Sequence, residues 1–305
     1  MPSLASHIVN PLIRAIVKSQ LSADVSGRTE AEIARRVRRA LGTPVLPPPG
    51  GRYVKGECGG IPGLWTEPKA PPAATVLYIH GGGFIACSPA THKPFTLAFA
   101  KRGFRVFAPD YRLAPEHRFP AALDDALAAY RGLLDSGGDP ASLVIAGDSA
   151  GGGLALSTLV AANRAGLPMP ACAVLFSPWT DLACAGDSMR TNLRADPMLC
   201  ATTMPAAAAL YLGAADKRDP LASPLYADLA GLPPLCIHAS AIEVLRDDST
   251  RLATRAREAG VEVSIRLWEN MPHVWPIFQL LLPEARRTMD EVAEYLTARI
   301  AQTHR

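Results

Sequence analysis

Short, almost continuously apolar runs recur along the chain, separated by longer stretches in which apolar positions return at a helical period. The runs 62–67, 74–80, 104–109, 143–147, 171–177, 234–239 and 262–269 have the length of strands, and "LVIAG" and "ACAVLF" contain no charged side chain. A strand without a polar face is buried on both sides, the situation of a parallel sheet covered by helices. Between the runs, 120–136, 151–165, 247–259 and 284–302 carry apolar residues at helical spacing. Strand and helix alternating in this way predict an α/β fold with a mostly parallel central sheet flanked by helices.

Two stretches break the alternation. Residues 1–45 have a helical pattern that runs into the proline-rich connector "PVLPPP". Residues 183–225 lie between a strand ending near Trp179 and the next strand at Leu235, and include the short helical stretch "DPMLCATTMPAAAALYLG". An excursion this long between two strands of one sheet tends to be functional. The expected organisation is an N-terminal helical segment, 1–45, that contributes to a cap; a core in two parts, 46–182 and 226–305; and a cap insertion, 183–225.

Composition narrows the function classes. The 305 residues suffice for a sizeable core. A net charge of +3 gives no basic surface for nucleic acid. No apolar run approaches the roughly 18 residues of a membrane span. The opening "MPSLASHIVNPLIRAIVKSQL" is apolar and lightly basic, but Pro11 and Arg14 interrupt it and no small-residue cleavage site follows. A helix packed on the body is the favoured reading, with peripheral membrane contact as the lesser alternative. The six cysteines are scattered, with no C-x-x-C pair. That pattern fits a reducing, cytoplasmic setting better than a disulfide framework or a zinc site.

Two glycine clusters carry the chemistry. "GDSAGGG" (147–153) follows the strand "LVIA" and opens a helix. Gly147-x-Ser149-x-Gly151 is the nucleophile-elbow spacing, in which a sharp strand-to-helix turn exposes the serine beside the positive end of the helix. "HGGGF" (80–84) follows the strand at 74–79. Three ordered glycines cost roughly 0.5–1 kcal/mol each relative to alanine. An oxyanion-hole donor contributes more, about 10²–10³ in rate. The N–H groups of Gly82 and Gly83, with that of Ala150, are therefore assigned to the oxyanion hole. A phosphate loop is the poorer reading, because neither the Walker nor the G-x-G-x-x-G spacing is present.

A serine nucleophile needs a base, and in this elbow class the acid and then the histidine follow the serine in the chain. Of His238, His273 and His304, His238 lies inside an apolar strand and His304 is next to the chain end. His273, in the loop "ENMPHVWP", is the expected base. The acid comes from "AIEVLRDDS". Asp247 and Asp248 precede a helical pattern, where an aspartate has a plain first-turn role. Glu243 stands just past the strand and is preferred. His80 is expected to hold the glycine loop by a hydrogen bond, and Asp148 to be a local backbone acceptor or a solvent-facing group. Asp110, Tyr111, Arg112 and Glu116 are expected to brace the glycine loop. Phe84, Trp179 and Trp275 each suit the acyl pocket or the core equally, and Tyr211 and Leu212 in the excursion are candidates to face substrate.

"HGGGF", "PDYRLAPEHRFPAAL" (109–123) and "GDSAGG", supported by "SPWTDL" (177–182) and "MPHVW" (271–275), resemble the hormone-sensitive lipase family of esterases. Their order and spacing agree from about residue 63 to 300. The resemblance implies an α/β-hydrolase fold with a helical cap and hydrolysis of carboxylic esters with short to medium acyl chains. It also implies no cofactor, a small-molecule ester as partner and, as is frequent in the family, a homodimer. One departure stands out: the family's acid motif opens with aspartate, and here the aligned residue is Glu243. An amidase using the same three residues is the nearest alternative. A non-catalytic receptor, like the plant gibberellin receptors that resemble this family, would have lost one of them.

Overall fold

Along the strand Leu143–Asp148, Leu143 and Ile145 point to one side and Val144 and Ala146 to the other, and all four are buried. In the computed structural model, which describes residues 2–22 and 27–304, this two-sided burial defines the centre of an eight-stranded sheet. The strands are β1 (Arg52–Cys58), β2 (Ile61–Glu67), β3 (Ala74–Ile79), β4 (Phe104–Pro109), β5 (Leu143–Asp148), β6 (Cys172–Phe176), β7 (Leu235–Ser240) and β8 (Val263–Trp268). Their order is β1-β2-β4-β3-β5-β6-β7-β8. β2 pairs antiparallel with both β1 and β4, and every pair from β4 to β8 is parallel.

The helices are α1 (Leu4–Ile13), continued by a π turn at Arg14–Lys18 and by α2 (Ser19–Leu21); α3 (Glu30–Leu41); α4 (Lys93–Ala100); α5 (Ala121–Asp135); α6 (Ala150–Arg164); α7 (Ser188–Thr191); α8 (Met204–Leu212); α9 (Arg246–Glu258); and α10 (Pro283–Thr303). Register explains the layering. Leu77 pairs with Ile145, Ile145 with Ala173 and Ala173 with Leu235, so these side chains share the face covered by α5, α6 and α9. Val76, Val144 and Val174 share the opposite face with Phe95 and Phe99 of α4 and Met289, Val292 and Leu296 of α10.

Two elements lie outside the periodic pattern. β1 is an edge strand with most of its residues exposed, so it has no apolar run to announce it. α4 is buried from Pro94 to Ala100, so it has no polar face from which a helical period could be read.

The N-terminal segment is tied down at several points. Val9 and Ile13 of α1 pack against Trp268, Met271 and Trp275. The Ser3 hydroxyl and N–H both donate to Glu284 at the start of α10. α3 begins at a capping box in which Thr29 and Glu32 satisfy each other's backbone N–H. Farther along α3, Arg38 reaches the core by donating to the carbonyls of Ile85 and Ala114 while pairing with Glu116. Among the described residues no helix is long and apolar enough to cross a membrane.

Candidate active site

Ser149 occupies the turn between β5 and α6 with φ 54° and ψ −125°, a conformation costly for a residue with a side chain. The surroundings fix it there. Its N–H donates to the carbonyl of Phe176, and its carbonyl accepts from Gly153 and Trp179. A β-carbon on Gly151 would lie 2.2 Å from the carbonyl oxygen of Ile79 and 2.3 Å from that of His80. The missing side chain is what allows α6 to start against the end of β3, and this is the physical content of the third position of the elbow spacing.

The glycine loop leaves β3 directly opposite. Gly82 has φ +118°, and a β-carbon there would meet the carbonyl oxygen of Ala86 at 2.2 Å. Its carbonyl accepts from the N–H groups of Ile85 and Ala86, closing a tight turn. Gly82 and Gly83 line the same cavity as Ser149 and His273. Among the described residues, the N–H groups of Gly82, Gly83 and Ala150 find no acceptor. Buried backbone donors rarely stay unpaired without a reason.

His273, in the loop after β8, connects Ser149 to Glu243. Its Nε2 lies 2.8 Å from Ser149 Oγ and its Nδ1 lies 2.6 Å from Glu243 Oε2. The other carboxylate oxygen of Glu243 accepts the N–H of Ser240 at 2.8 Å. Both His273 and Glu243 are buried. Burial opposes charge on the imidazole, but the hydrogen bond and charge of Glu243, reinforced by the charges of Asp196 and Asp148, outweigh it and raise the His273 pKa. With Nδ1–H held by the carboxylate, Nε2 faces the serine as an acceptor.

Asp247 and Asp248 take other work. Asp247 accepts from the N–H of Ser188 and pairs with Arg246. Asp248 accepts from the N–H groups of Thr180 and Asp181. His238 is a buried core histidine that accepts from the indole N–H of Trp268. His80 is buried, with Nδ1 2.8 Å from the carbonyl of Gly81 and its ring stacked on Tyr111.

Asp148 is buried, not solvent-facing: it sits behind the serine where β3 and β5 meet, accepting from Tyr78 Oη at 2.7 Å and from the N–H of Gly81 at 3.0 Å. His92 stands beside it, Nε2 to carboxylate at 3.3 Å. Of the four expected braces, only Tyr111 acts directly on the glycine loop, through its hydroxyl on the carbonyl of His80. Arg112 pairs with Asp125, Asp110 is exposed, and Glu116 works only through Arg38.

The cavity holds about 370 Å³. Trp179, which also packs in the main core, lines it. Phe84 and Tyr211 do not: their rings stack on each other with centroids 3.8 Å apart and are buried in the main core. Phe84 packs in that core between Tyr211 and Trp179, and Tyr211 also meets Phe119 edge-on. Trp275 is likewise core, donating to Thr288. The apolar wall opposite the serine comes from the segments outside the alternating pattern: Val17 and Leu21, Val37 of α3, and Met198, Leu199 and Met204. Asn192 and Asp196, which had no signal in the sequence beyond their place in the long excursion, contact the backbone around Glu243.

Residues 76–277 match the family model described as alpha/beta hydrolase fold. The chain is 42% identical over 250 residues to an acetyl-hydrolase of Streptomyces hygroscopicus, spanning 82% of this chain and 83% of that protein. It is 34% identical over 241 residues to an esterase of Acinetobacter venetianus, spanning 78% and 80%. A solved esterase from the bacterial hormone-sensitive lipase (HSL) family aligns with a TM-score of 0.89 and 39% identity over 98% of this chain and 99% of that one. The chain belongs to the α/β-hydrolase family. Within it, the chain groups with the hormone-sensitive lipase esterases, as the motifs at 80–84 and 147–152 led one to expect.

Proposed function

We propose that Ser149, His273 and Glu243 act together in this serine ester hydrolase, cleaving carboxylic esters with short to medium acyl chains through an acyl-enzyme. The observation that carries the assignment is the unbroken relay from Glu243 through His273 to Ser149, 2.6 and 2.8 Å long, opening into an apolar cavity. Ser149 Oγ attacks the ester carbonyl carbon as its proton passes to His273 Nε2. The carbonyl oxygen, now negative, takes hydrogen bonds from the free N–H groups of Gly82, Gly83 and Ala150. Glu243 stabilises the imidazolium. The intermediate collapses, the C–O bond to the alcohol breaks, and the alkoxide leaves with the proton from His273. Water then repeats the sequence on the acyl-enzyme and frees the acid.

The cavity volume of about 370 Å³ is at the small end for ligand sites, about 300–1,000 Å³. That supports the preference for short to medium acyl chains. The segments 1–45 and 183–225 serve as the cap that closes over the acyl group. A cytoplasmic setting is supported by six free thiols, and a homodimer by the family resemblance.

Ser149→Ala should lower kcat on p-nitrophenyl butyrate by about 10⁶, and a fluorophosphonate should label the native protein but not the variant. Near-native turnover in the variant would dismiss the scheme. Turnover of an anilide at a rate comparable with the matched ester would move the reading to an amidase.

A further inference from the structure

The peptide unit between Glu243 and Val244 has two polar atoms, and residues of the 183–225 segment hold both. Asn192 Nδ2 donates to the Glu243 carbonyl at 2.9 Å, and the Val244 N–H donates to Asp196 Oδ2 at 2.9 Å. Asp196 is fully buried. Its other oxygen accepts from the N–H groups of Met198 at 2.7 Å and Leu199 at 2.9 Å, two residues of the cavity wall. Its backbone carbonyl accepts from Lys18 Nζ at 2.6 Å, the same ammonium that binds the Leu193 carbonyl. One aspartate thus joins the acid's loop, the acyl wall and the N-terminal helix.

Its charge has no cation on it. Among the described residues every hydrogen bond to the Asp196 carboxylate comes from a backbone N–H. Nearby charged groups are Lys18, on its own carbonyl, Arg14, on the carbonyl of Ala195, and His273. A buried carboxylate without a salt-bridge partner is costly unless something nearby gains from the charge.

We propose that Asp196 is a positioning residue for the hydrolysis: it clamps the Glu243–Val244 peptide from the cap side and adds a second negative charge to the surroundings of His273. The proposal rests on the serine-hydrolase reading above. Burial pushes the Asp196 carboxyl upward, while the charge of His273 works the other way, so the aspartate is held ionised best when the imidazole is protonated. Reciprocally, Asp196 is among the charges that raise His273. The stage of reaction that benefits is the one with imidazolium present, the tetrahedral intermediate.

The experiment compares kcat and the pH dependence of kcat/KM for p-nitrophenyl butyrate in the native protein, Asp196→Asn, Asp196→Glu and Asn192→Ala. Asp196→Asn removes the charge and sets an amide N–H₂ against a backbone donor. It should lower kcat by about 10–100-fold, the scale of a catalytic group displaced by about 1 Å, and move the acid limb to lower pH. Asn192→Ala loosens the same peptide but keeps the charge, so kcat should fall while the acid limb stays in place. Asp196→Glu should keep the limb near the native position, and it carries the test if Asp196→Asn does not fold. An acid limb unmoved in a folded Asp196→Asn, or displaced equally by Asn192→Ala, overturns the proposal. So does a limb displaced in a folded Asp196→Glu. A native protein inactive on every p-nitrophenyl ester would instead remove the ester reading itself.

Discussion

Replacing Glu243 by glutamine keeps the shape of the side chain and removes its charge, and the local bonding dictates the outcome. The N–H of Ser240 donates to Oε1 of the acid. Glutamine must keep its carbonyl oxygen there, or two donors collide. Its N–H₂ then faces Nδ1 of His273, which can only accept. The ring proton is forced to Nε2, where it points at Ser149 and blocks proton removal. A wrong tautomer of this kind costs about 10⁴ in kcat. A second effect is independent of the first. Among the described residues, two other buried histidines have no carboxylate on the ring; burial lowers His80 to about 3 and His238 to about 4. His273 is raised instead, because Glu243 opposes its burial. Without the carboxylate, burial should pull His273 downward, opposed only by the charges of Asp196 and Asp148. Hydrolysis requires the neutral ring, so the acid limb of kcat/KM should move to lower pH. Stopped-flow or initial-rate assays on p-nitrophenyl butyrate between pH 4 and 9 read both quantities. A limb that stays in place, or a kcat within tenfold of native, would refute the role of Glu243. If Asp247→Asn then abolished activity, Asp247 would be the acid.

Gly82→Ala forces a side chain onto a backbone at φ +118° and into the Ala86 carbonyl; kcat should fall about 10²–10³-fold, as for a lost oxyanion donor, with little change in KM. Asp148→Ala leaves the Tyr78 hydroxyl and the Gly81 N–H without a buried acceptor, and urea unfolding should show a loss of about 2–5 kcal/mol. The Asp148 carboxyl is buried, yet His92, Tyr78 and Gly81 together hold it below the ordinary aspartate range. Its contribution to stability is therefore present above about pH 3.9 and lost as pH falls through the lower folded value; acid unfolding of Asp148→Asn should begin at the same pH or higher, never lower. Leu199→Trp fills part of the cavity wall, so relative kcat/KM should shift from butyrate or hexanoate toward acetate, and an unchanged order would separate that wall from the acyl group.

The sheet centre was legible because strands buried on both faces have no polar alternation to confuse them. The same logic hid β1, whose exposed edge looks like a loop, and α4, whose full burial erases its period. That Ser149 and His273 would meet was legible for a different reason. The elbow spacing states a steric requirement, and chain order leaves one histidine in a loop beyond a strand. The contact of Glu243 with His273 was reachable from the position of Glu243 just after β7. Phe84 and Tyr211 misled because an aromatic ring beside apolar neighbours looks the same whether it lines a cavity or fills a core; what decides is that the two rings stack on each other, a contact between residues 127 positions apart that only the tertiary fold creates. Asn192 and Asp196 were invisible, since choosing a backbone partner about 50 residues away is settled only by tertiary packing.

The bracing around the site acts one to three residues away from Ser149, Gly82, Glu243 and His273. Asp148, one residue before Ser149, holds the N–H of Gly81, one residue before Gly82. Asp196 holds the N–H of Val244, one residue after Glu243. The hydroxyl of Ser240, at the end of β7, donates to the carbonyl of Met271, two residues before His273. Each tie joins two segments near the proposed reacting groups and uses none of the atoms proposed to react. The physical reason is that a side chain holding the reacting atom directly would compete with substrate for its hydrogen bond, whereas one holding its neighbour limits displacement without occupying the bond. Loss of one tie should therefore damage turnover more than substrate binding. That split separates these residues from the apolar wall, where Leu199→Trp should act mainly through KM and acyl preference.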